Sequence, residues 1–430
     1  MNRPATVACD DKHAPAPLWD RFLILACGVA ITAYFAALTL VPNIYAYAPA
    51  AVLLLALASF RWKQLVRNVD RPTRWFIAAM VAHFAIQALL VTGHGDNVSD
   101  YDLISRFLLA IPVLLFVSHY APGPGWIFSA AAVGGIGAGG YALYAELALS
   151  IHRTEAFDNP IHFGVGAMTS VLISLAALPW AWEQRWRWFW IALLLGGAAG
   201  GLAASLLSET RSVWLALPFA SLVSLWWGRH GLLARPKRML AVVVLVAIAG
   251  LAVTSSQIVK TRYDQAVQEV VGYFEKGHGH TSVGARLDMW KGGWIAFSTH
   301  PLTGIGAKGY DRLETKLVDT GVIDPYPATF RHLHNQFVDY AAKGGLLGLA
   351  SYVFLLVVFF RVFYRFSKSE DPGLRSLGLA GALLLVGHIV FNQTQSLLER
   401  NIGVMMFLFA FVFLWGALQR RRRSLEEQRQ

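Results

Sequence analysis

The stretch RHLHNQFVDYAAKGG, residues 331–345, sets two histidines, an asparagine and a glutamine directly before one of the most apolar runs in the chain. A neutral imidazole, with a reference pKa of roughly 6.5, can take a proton from a hydroxyl or hold that hydroxyl in place. His332 and His334 are the two candidates, and His334 and Asn335 open the helix that enters the apolar run. Other reactive side chains also collect where apolar runs begin. SETRSVWLALP places Glu209 and Arg211 at the mouth of one, Asp100, Asp102 and Arg106 precede another, and SVGARLDMWKGGWIAFSTHP carries Arg286. A guanidinium fork matches phosphate oxygens with two parallel hydrogen bonds, so arginines gathered at one surface suit a phosphate-bearing substrate.

The elements that must position these residues follow from composition. The chain has 430 residues, 56% hydrophobic and only 15% charged, against roughly 25% charged in soluble proteins. That balance describes an integral membrane protein. A crossing takes about 20 apolar residues, and hydrophobic windows give about twelve candidate spans, centred near residues 31, 52, 83, 111, 137, 171, 195, 220, 247, 355, 383 and 410. Pro112 and Pro179 are expected to shorten or interrupt the fourth and sixth. The first span is expected to stay as an uncleaved helix, because the segment before it is long and carries Asp10, Asp11 and Asp20. Cys9 and Cys27 are the only cysteines, which leaves neither a disulfide framework nor a thiolate metal site.

Lys and Arg accumulate in cytoplasmic loops. Arg61, Lys63, Arg67, Arg71 and Arg74 in one loop, Arg229, Arg235, Lys237 and Arg238 in another, and the tail QRRRR are therefore placed in the cytoplasm. The short loops opposite carry only Arg106, Arg153, Arg211 and Arg400. The net charge of +11 thus reflects topology and contact with anionic membrane lipid, and no nucleic-acid partner is expected. The architecture is all-α and polytopic: residues 1–254 carry nine transmembrane helices, 255–345 one large periplasmic loop, and 346–430 three more helices and the basic tail.

Within that loop, Tyr263, Val267, Val270, Val271 and Phe274 make one apolar stripe at helical spacing, and Val283, Leu287, Trp290, Trp294 and Phe297 make another before Pro301 stops the helix. Both stripes read as packing faces, against the spans or the membrane surface. Arg286 is expected on the polar side of the second helix, opposite Trp290 and Trp294. The runs GGIGAGG at 134–140 and GGAAGG at 196–201 let spans approach closely. They are not phosphate loops, since no Lys-Ser/Thr follows.

TRSVWLALP, SVGARLDMWKGGWIAFSTHPLTGIGAKGY and HLHNQFVDYAAKGGLLGL, in this order around one large loop, resemble the O-antigen ligase and polymerase superfamily of bacterial envelope glycosyltransferases, and DLISRFLLAIP resembles its earlier, weaker motif. The resemblance implies an inner-membrane glycosyltransferase of the all-helical GT-C type. Its donor would be a glycan on undecaprenyl diphosphate, its acceptor a sugar hydroxyl of the lipid A core, and its site periplasmic. By position, Arg211 and Arg286 would hold the diphosphate, His334 would serve the acceptor hydroxyl, and Asn335, Arg106 and Asp102 would support them.

DYD at 100–102 also has the carboxylate spacing of metal-dependent glycosyltransferases, and Asp96, Asp100 and Asp102 could offer three oxygens to a divalent ion. Two arginines already supply positive charge, so neither metal nor other cofactor is expected. Ligation of O-antigen to the lipid A core is favoured over polymerisation on the likeness of the LHNQF region. The short tail after the last span argues against transfer to protein. A polysaccharide transporter of another class would carry half-to-half repeats and intramembrane charges. Here the polar residues collect at one surface.

Overall fold

An apolar chain in lipid has no water to satisfy its peptide groups, so each crossing must bond its own backbone as a helix. The computed structural model describes residues 18–59, 61–67, 69–228, 257–276, 280–330 and 332–429, and every regular element among them is helical. In chain order these are α1 (Leu18–Ala37), α2 (Ile44–Ala58), α3 (Trp62–Arg67), α4 (Arg71–His94), α5 (Asp100–Tyr120), α6 (Pro124–Leu149), α7 (Pro160–Ala176), α8 (Leu178–Trp182), α9 (Arg187–Leu207) and α10 (Arg211–Gly228). They continue as α11 (Gln257–Lys276), α12 (Ser282–Thr299), α13 (Gly306–Asp319), α14 (Gln336–Ser367), α15 (Pro372–Phe391) and α16 (Asn401–Glu427).

Nine helical segments among the described residues are long and apolar enough to cross a membrane, and α2 and part of α10 are shorter apolar helices. The chain is a multi-pass membrane protein. Every expected span centre falls on one of these elements except that near residue 247, which lies outside the described residues. Pro179 does interrupt its span, standing in the first turn of α8 after α7 ends at Ala176. Pro112 does not. It is carried inside an unbroken α5, where neighbouring helices can answer the freed carbonyl.

The glycine runs do what their composition predicts. A Cβ on Gly139 would come within 2.6 Å of Gly200 Cα, so α6 and α9 cross with backbones in contact. α16 is buried at every residue from Ile402 to Gln419, as expected of a helix apolar on all sides. Trp415 Nε1 donates to Thr73 Oγ1 at 3.1 Å within this core. At one end of the bundle, ion pairs join Arg61 to Asp20 (2.6 Å), Arg421 to Asp371 (2.7 Å) and Arg422 to Asp70. α11, α12 and α13 belong to the opposite end.

The insert helices divide between exposed and packed faces. All five residues of the α11 stripe, from Tyr263 to Phe274, are exposed, and so is Trp294 of α12. The buried side of α12 is instead Gly284, Ala285, Asp288, Met289, Gly292, Gly293 and Ala296. Small side chains on that side let the helix backbone approach its neighbours, and Trp290 of the stripe packs, partly buried, against the cluster formed there. Asp96 joins the insert to α4, accepting from the Ala307 and Lys308 amides at 3.0 Å each and so capping α13.

α14 is bent at its foot. Gly345 has φ 60° and ψ −155°, and the residues around it bond to the insert: Leu346 N donates to Pro301 O (2.8 Å), Leu347 N to Leu302 O (3.1 Å) and Ile305 N to Ala342 O (3.2 Å). The short segment 336–344 is thereby turned away from the long one and presents residues 332–335 at the bundle end. A Cβ at Gly345 would fall on the Leu302 carbonyl, in a backbone region that L side chains avoid. Gly345→Ala should therefore cost about 1–3 kcal/mol or more, read as a lowered unfolding temperature of the purified protein in detergent. Gly93→Ala, where a Cβ meets nothing within 4 Å, is the control. Equal unfolding temperatures for Gly345→Ala and parent would refute the bend as a constraint.

Candidate functional site

The start of α14 is laced to the loop between α15 and α16. Asn335 caps the helix, its Oδ1 accepting from the Phe337 amide (3.0 Å) and the Val338 amide (3.3 Å), while its Nδ2 donates to Gln393 O (3.1 Å). Gln336 adds two links: its amide donates to Asn392 O (2.9 Å) and its Oε1 accepts from the Leu398 amide (2.7 Å). On the insert side, Trp290 Nε1 donates to Leu333 O (3.1 Å), and the Leu333 amide donates to Asp339 Oδ2 (3.0 Å). Asp339 and Glu399 both pair with Lys343, at 2.6 and 3.1 Å. Burial pushes the Glu399 carboxyl above its ordinary range, and Lys343 opposes that push.

His334 sits in the middle of this lacing with φ 49°, a left-handed conformation that few residues other than glycine adopt. Its Nδ1 lies 3.1 Å from Gln395 Oε1. A ring N–H at Nδ1 donating to that amide oxygen puts the lone pair on Nε2, which makes no hydrogen bond among the described residues. Phe330 and His332 meet the ring edge-on, with centroids at 5.1 and 4.4 Å. Burial first, then His332 and the Arg286 guanidinium, push the His334 imidazole down to about 3, against the Gln395 bond. It is therefore neutral at pH 7. His332 is buried, its Nδ1 without a hydrogen-bond partner among the described residues, and burial lowers its pKa too.

Arg286 shares the Trp290 side of α12, four residues on, and does not lie opposite it as the sequence reading expected. Residues i and i+4 of a helix stack on one face. Its Nη1 donates to Ser282 O (3.1 Å) and Ser282 Oγ (2.9 Å), and its charge acts on His334. Arg211 opens α10, and its side chain lies outside the described residues. Its turn is held by Thr210 Oγ1, which donates to Pro160 O at 3.1 Å, and by the Thr154 amide, which donates to Leu207 O at 3.0 Å. Arg106 Nη2 pairs with Asp102 Oδ2 (2.9 Å) and its Nε donates to Asn401 Oδ1 (3.1 Å), so this pair ties α5 to the start of α16.

The three acidic residues weighed for a metal go to separate tasks. Asp96 caps α13, Asp100 Oδ2 accepts from the Asn97 amide (2.8 Å), and Asp102 holds Arg106. No group of three His, Cys, Asp or Glu among the described residues could hold a metal ion.

Sequence reasoning missed Gln395, whose only signal is the polar run NQTQ between two spans. It also missed Asp158 and His162, four apart in FDNPIH, whose side chains bond to each other while Asn159 Oδ1 caps α7 by accepting from the His162 amide (2.9 Å). The bond to His162, followed by the charge of Arg400, holds the Asp158 carboxyl below its ordinary range.

Comparison with known proteins bears on this arrangement. Residues 198–353 match the family described as O-antigen ligase, a span that holds Arg211, Arg286, His334 and Asn335. An uncharacterised protein of Haemophilus influenzae is 23% identical over 399 residues, covering 91% of this chain and 98% of its own length. An Escherichia coli protein named O-antigen ligase is 26% identical over 265 residues, covering 56% of this chain and 57% of its own. The likeness read from the motifs is borne out over these residues, which are similar to the O-antigen ligase family.

The Lys343 ion pairs generate a stability prediction. Lys343→Met would leave Asp339 and Glu399 without their shared cation, and because Lys343 and Glu399 are only partly buried this should cost less than the roughly 3–5 kcal/mol of a fully buried pair. The deficit should shrink as pH falls through the raised Glu399 titration, because protonation removes one of the two uncompensated charges. Denaturant unfolding at several pH values checks it, and a deficit independent of pH would remove the charge argument.

Proposed function

We propose that this chain, whose residues 198–353 are similar to the O-antigen ligase family, transfers a glycan from undecaprenyl diphosphate to a sugar hydroxyl of the lipid A core at the periplasmic face of the inner membrane. What carries the reading is His334: a neutral imidazole with an open Nε2, held by Gln395 beside the Arg286 charge.

The reaction asks for few parts. The acceptor hydroxyl oxygen attacks the anomeric carbon, the bond from that carbon to the diphosphate oxygen breaks, and the diphosphate leaves with the electron pair, inverting the centre. Nε2 of His334 accepts the hydroxyl hydrogen bond and aims the oxygen. An imidazole pushed down to about 3 is a weak base, which favours orientation over full proton abstraction before attack. The proton can pass to the departing diphosphate or to solvent. Arg286 and Arg211 neutralise the charge growing on the diphosphate, the contribution that usually dominates catalysis. Asn335 keeps the His334 backbone in place, and the Asp102–Arg106 pair braces the neighbouring loop. Charge on the leaving group is thus met by arginine, and no step requires a metal ion.

The test is complementation of a ligase-null strain, with lipopolysaccharide read on gels. Parent protein should restore long-chain lipopolysaccharide. His334→Ala should be inserted at parental levels and lose at least about 100-fold in transfer, whereas His332→Ala should matter less. Normal transfer by His334→Ala would overturn its assigned role. Glycan that lengthens only on the lipid carrier would identify a polymerase instead.

A further inference from the structure

From Trp182 to Trp190, around the turn between α8 and α9, the chain reads WEQRWRWFW, four indoles and two arginines in nine residues. Contacts place this turn at the end of the bundle away from His334. α15 finishes beside the His334 site, where Asn392 O accepts from the Gln336 amide (2.9 Å). Near the start of the same helix, Ser376 Oγ accepts from the Trp180 amide (3.1 Å), one turn from the Asp371 that pairs with Arg421. Basic residues crowd that end, which marks it as the cytoplasmic one.

The turn is fixed by its own packing. Gln184 Nε2 donates to Trp180 O (3.0 Å), and Trp180 meets Trp190 edge to face with centroids 5.0 Å apart, while its other neighbour is the buried Phe128 at 5.2 Å. A second pair of indoles faces outward. Trp182 and Trp188 meet at 5.8 Å, and the Arg187 guanidinium lies 5.7 and 5.5 Å from their ring centres. Stacking of this kind orients a guanidinium plane and leaves its N–H edge able to donate. Neither Arg185 nor Arg187 makes a side-chain hydrogen bond or ion pair among the described residues.

With Glu183 and Trp186, these side chains line an open cleft of about 530 Å³. Its two arginines outnumber its one carboxylate, so it favours an anion. Trp186 and Trp188 are 68% and 65% exposed. A phosphate dissolved in water has no use for such rings, whereas indoles settle at the headgroup level of a membrane. The cleft opens at the first turn of α9, a helix long and apolar enough to span, and that turn lies at this level.

We propose that the cleft binds the headgroup of an anionic phospholipid, with Arg187 and Arg185 taking the phosphodiester and Trp186 and Trp188 covering the glycerol and upper acyl carbons. The cytoplasmic leaflet presents anionic lipids, and basic pockets at that face are suited to their headgroups. The site is separate from the transfer reading, since it lies at the other end of the bundle and involves no glycan.

The experiment uses the full-length protein in detergent, stripped of lipid and titrated with phosphatidylglycerol or phosphatidylcholine, bound lipid being counted by native mass spectrometry. Parent is compared with Arg187→Gln, Arg187→Lys, Trp188→Leu and Arg71→Gln. The last removes an exposed cation from the same end of the bundle and is the control. Parent should bind one phosphatidylglycerol about tenfold more tightly than phosphatidylcholine, and Arg187→Gln should remove that preference. Arg187→Lys should recover part of it, Trp188→Leu should weaken binding with every charge in place, and Arg71→Gln should match parent. Unfolding temperatures verify folding, and if Arg187→Gln does not fold, Arg187→Lys and Trp188→Leu decide. Equal binding of the two lipids by parent, or parental phosphatidylglycerol binding in the cleft variants, would overturn the proposal. A dimer of the lipid-free parent that Trp188→Leu dissolves would assign the cleft to a second copy of the chain and overturn it too.

Discussion

Where α14 meets the insert, a helix begins among buried residues, and the free amides of its first turn must find partners within the protein. Asn335 takes two of them, and Gln336 reaches the loop between α15 and α16. Because these same bonds fasten that loop, they also place Gln395 against the imidazole of His334. The unusual backbone of His334 is held from both sides, by Trp290 on Leu333 and by the Asn335 cap. Satisfying a helix end and positioning the candidate site are here one set of hydrogen bonds. The bend at Gly345 is what turns this helix end outward to meet both partners.

The electrostatics follow from that placement. A half-buried imidazole surrounded by a second histidine and arginine charge stays unprotonated, so it accepts a hydrogen bond from a hydroxyl and does not add to the positive charge. Under the proposed transfer, the Arg286 charge that acts on His334 would also meet an anionic leaving group beside it. Division of labour between a neutral acceptor of hydroxyls and charged acceptors of phosphate suits a displacement with a diphosphate leaving group. The Lys343 cluster has a different task. It balances its charges internally and holds two chain segments together.

Much of the fold was legible because its signals are local. Apolar length marked the spans, Pro179 marked a break, and glycine runs marked the α6–α9 crossing. The closest-packed side of α12 was legible only in part, since hydrophobicity points both to Trp290, which packs, and to Trp294, which is exposed, while close approach selects Gly292 and Gly293. His334, Asn335 and Arg286 stood out by type and position. Gln395 did not, because its partner is 61 residues away in sequence, and a polar run between spans looks the same whether or not it touches a site.

The central claim is that glycan moves from a lipid diphosphate to a separate acceptor at the His334 site. Its most direct test reconstitutes purified protein in liposomes with undecaprenyl diphosphate carrying a radiolabelled glycan and with lipid A core, in the presence of EDTA. Label should pass to the lipid A core while one undecaprenyl diphosphate is released for each glycan transferred. Label that remains on the carrier, or that moves only between carriers, would contradict the account.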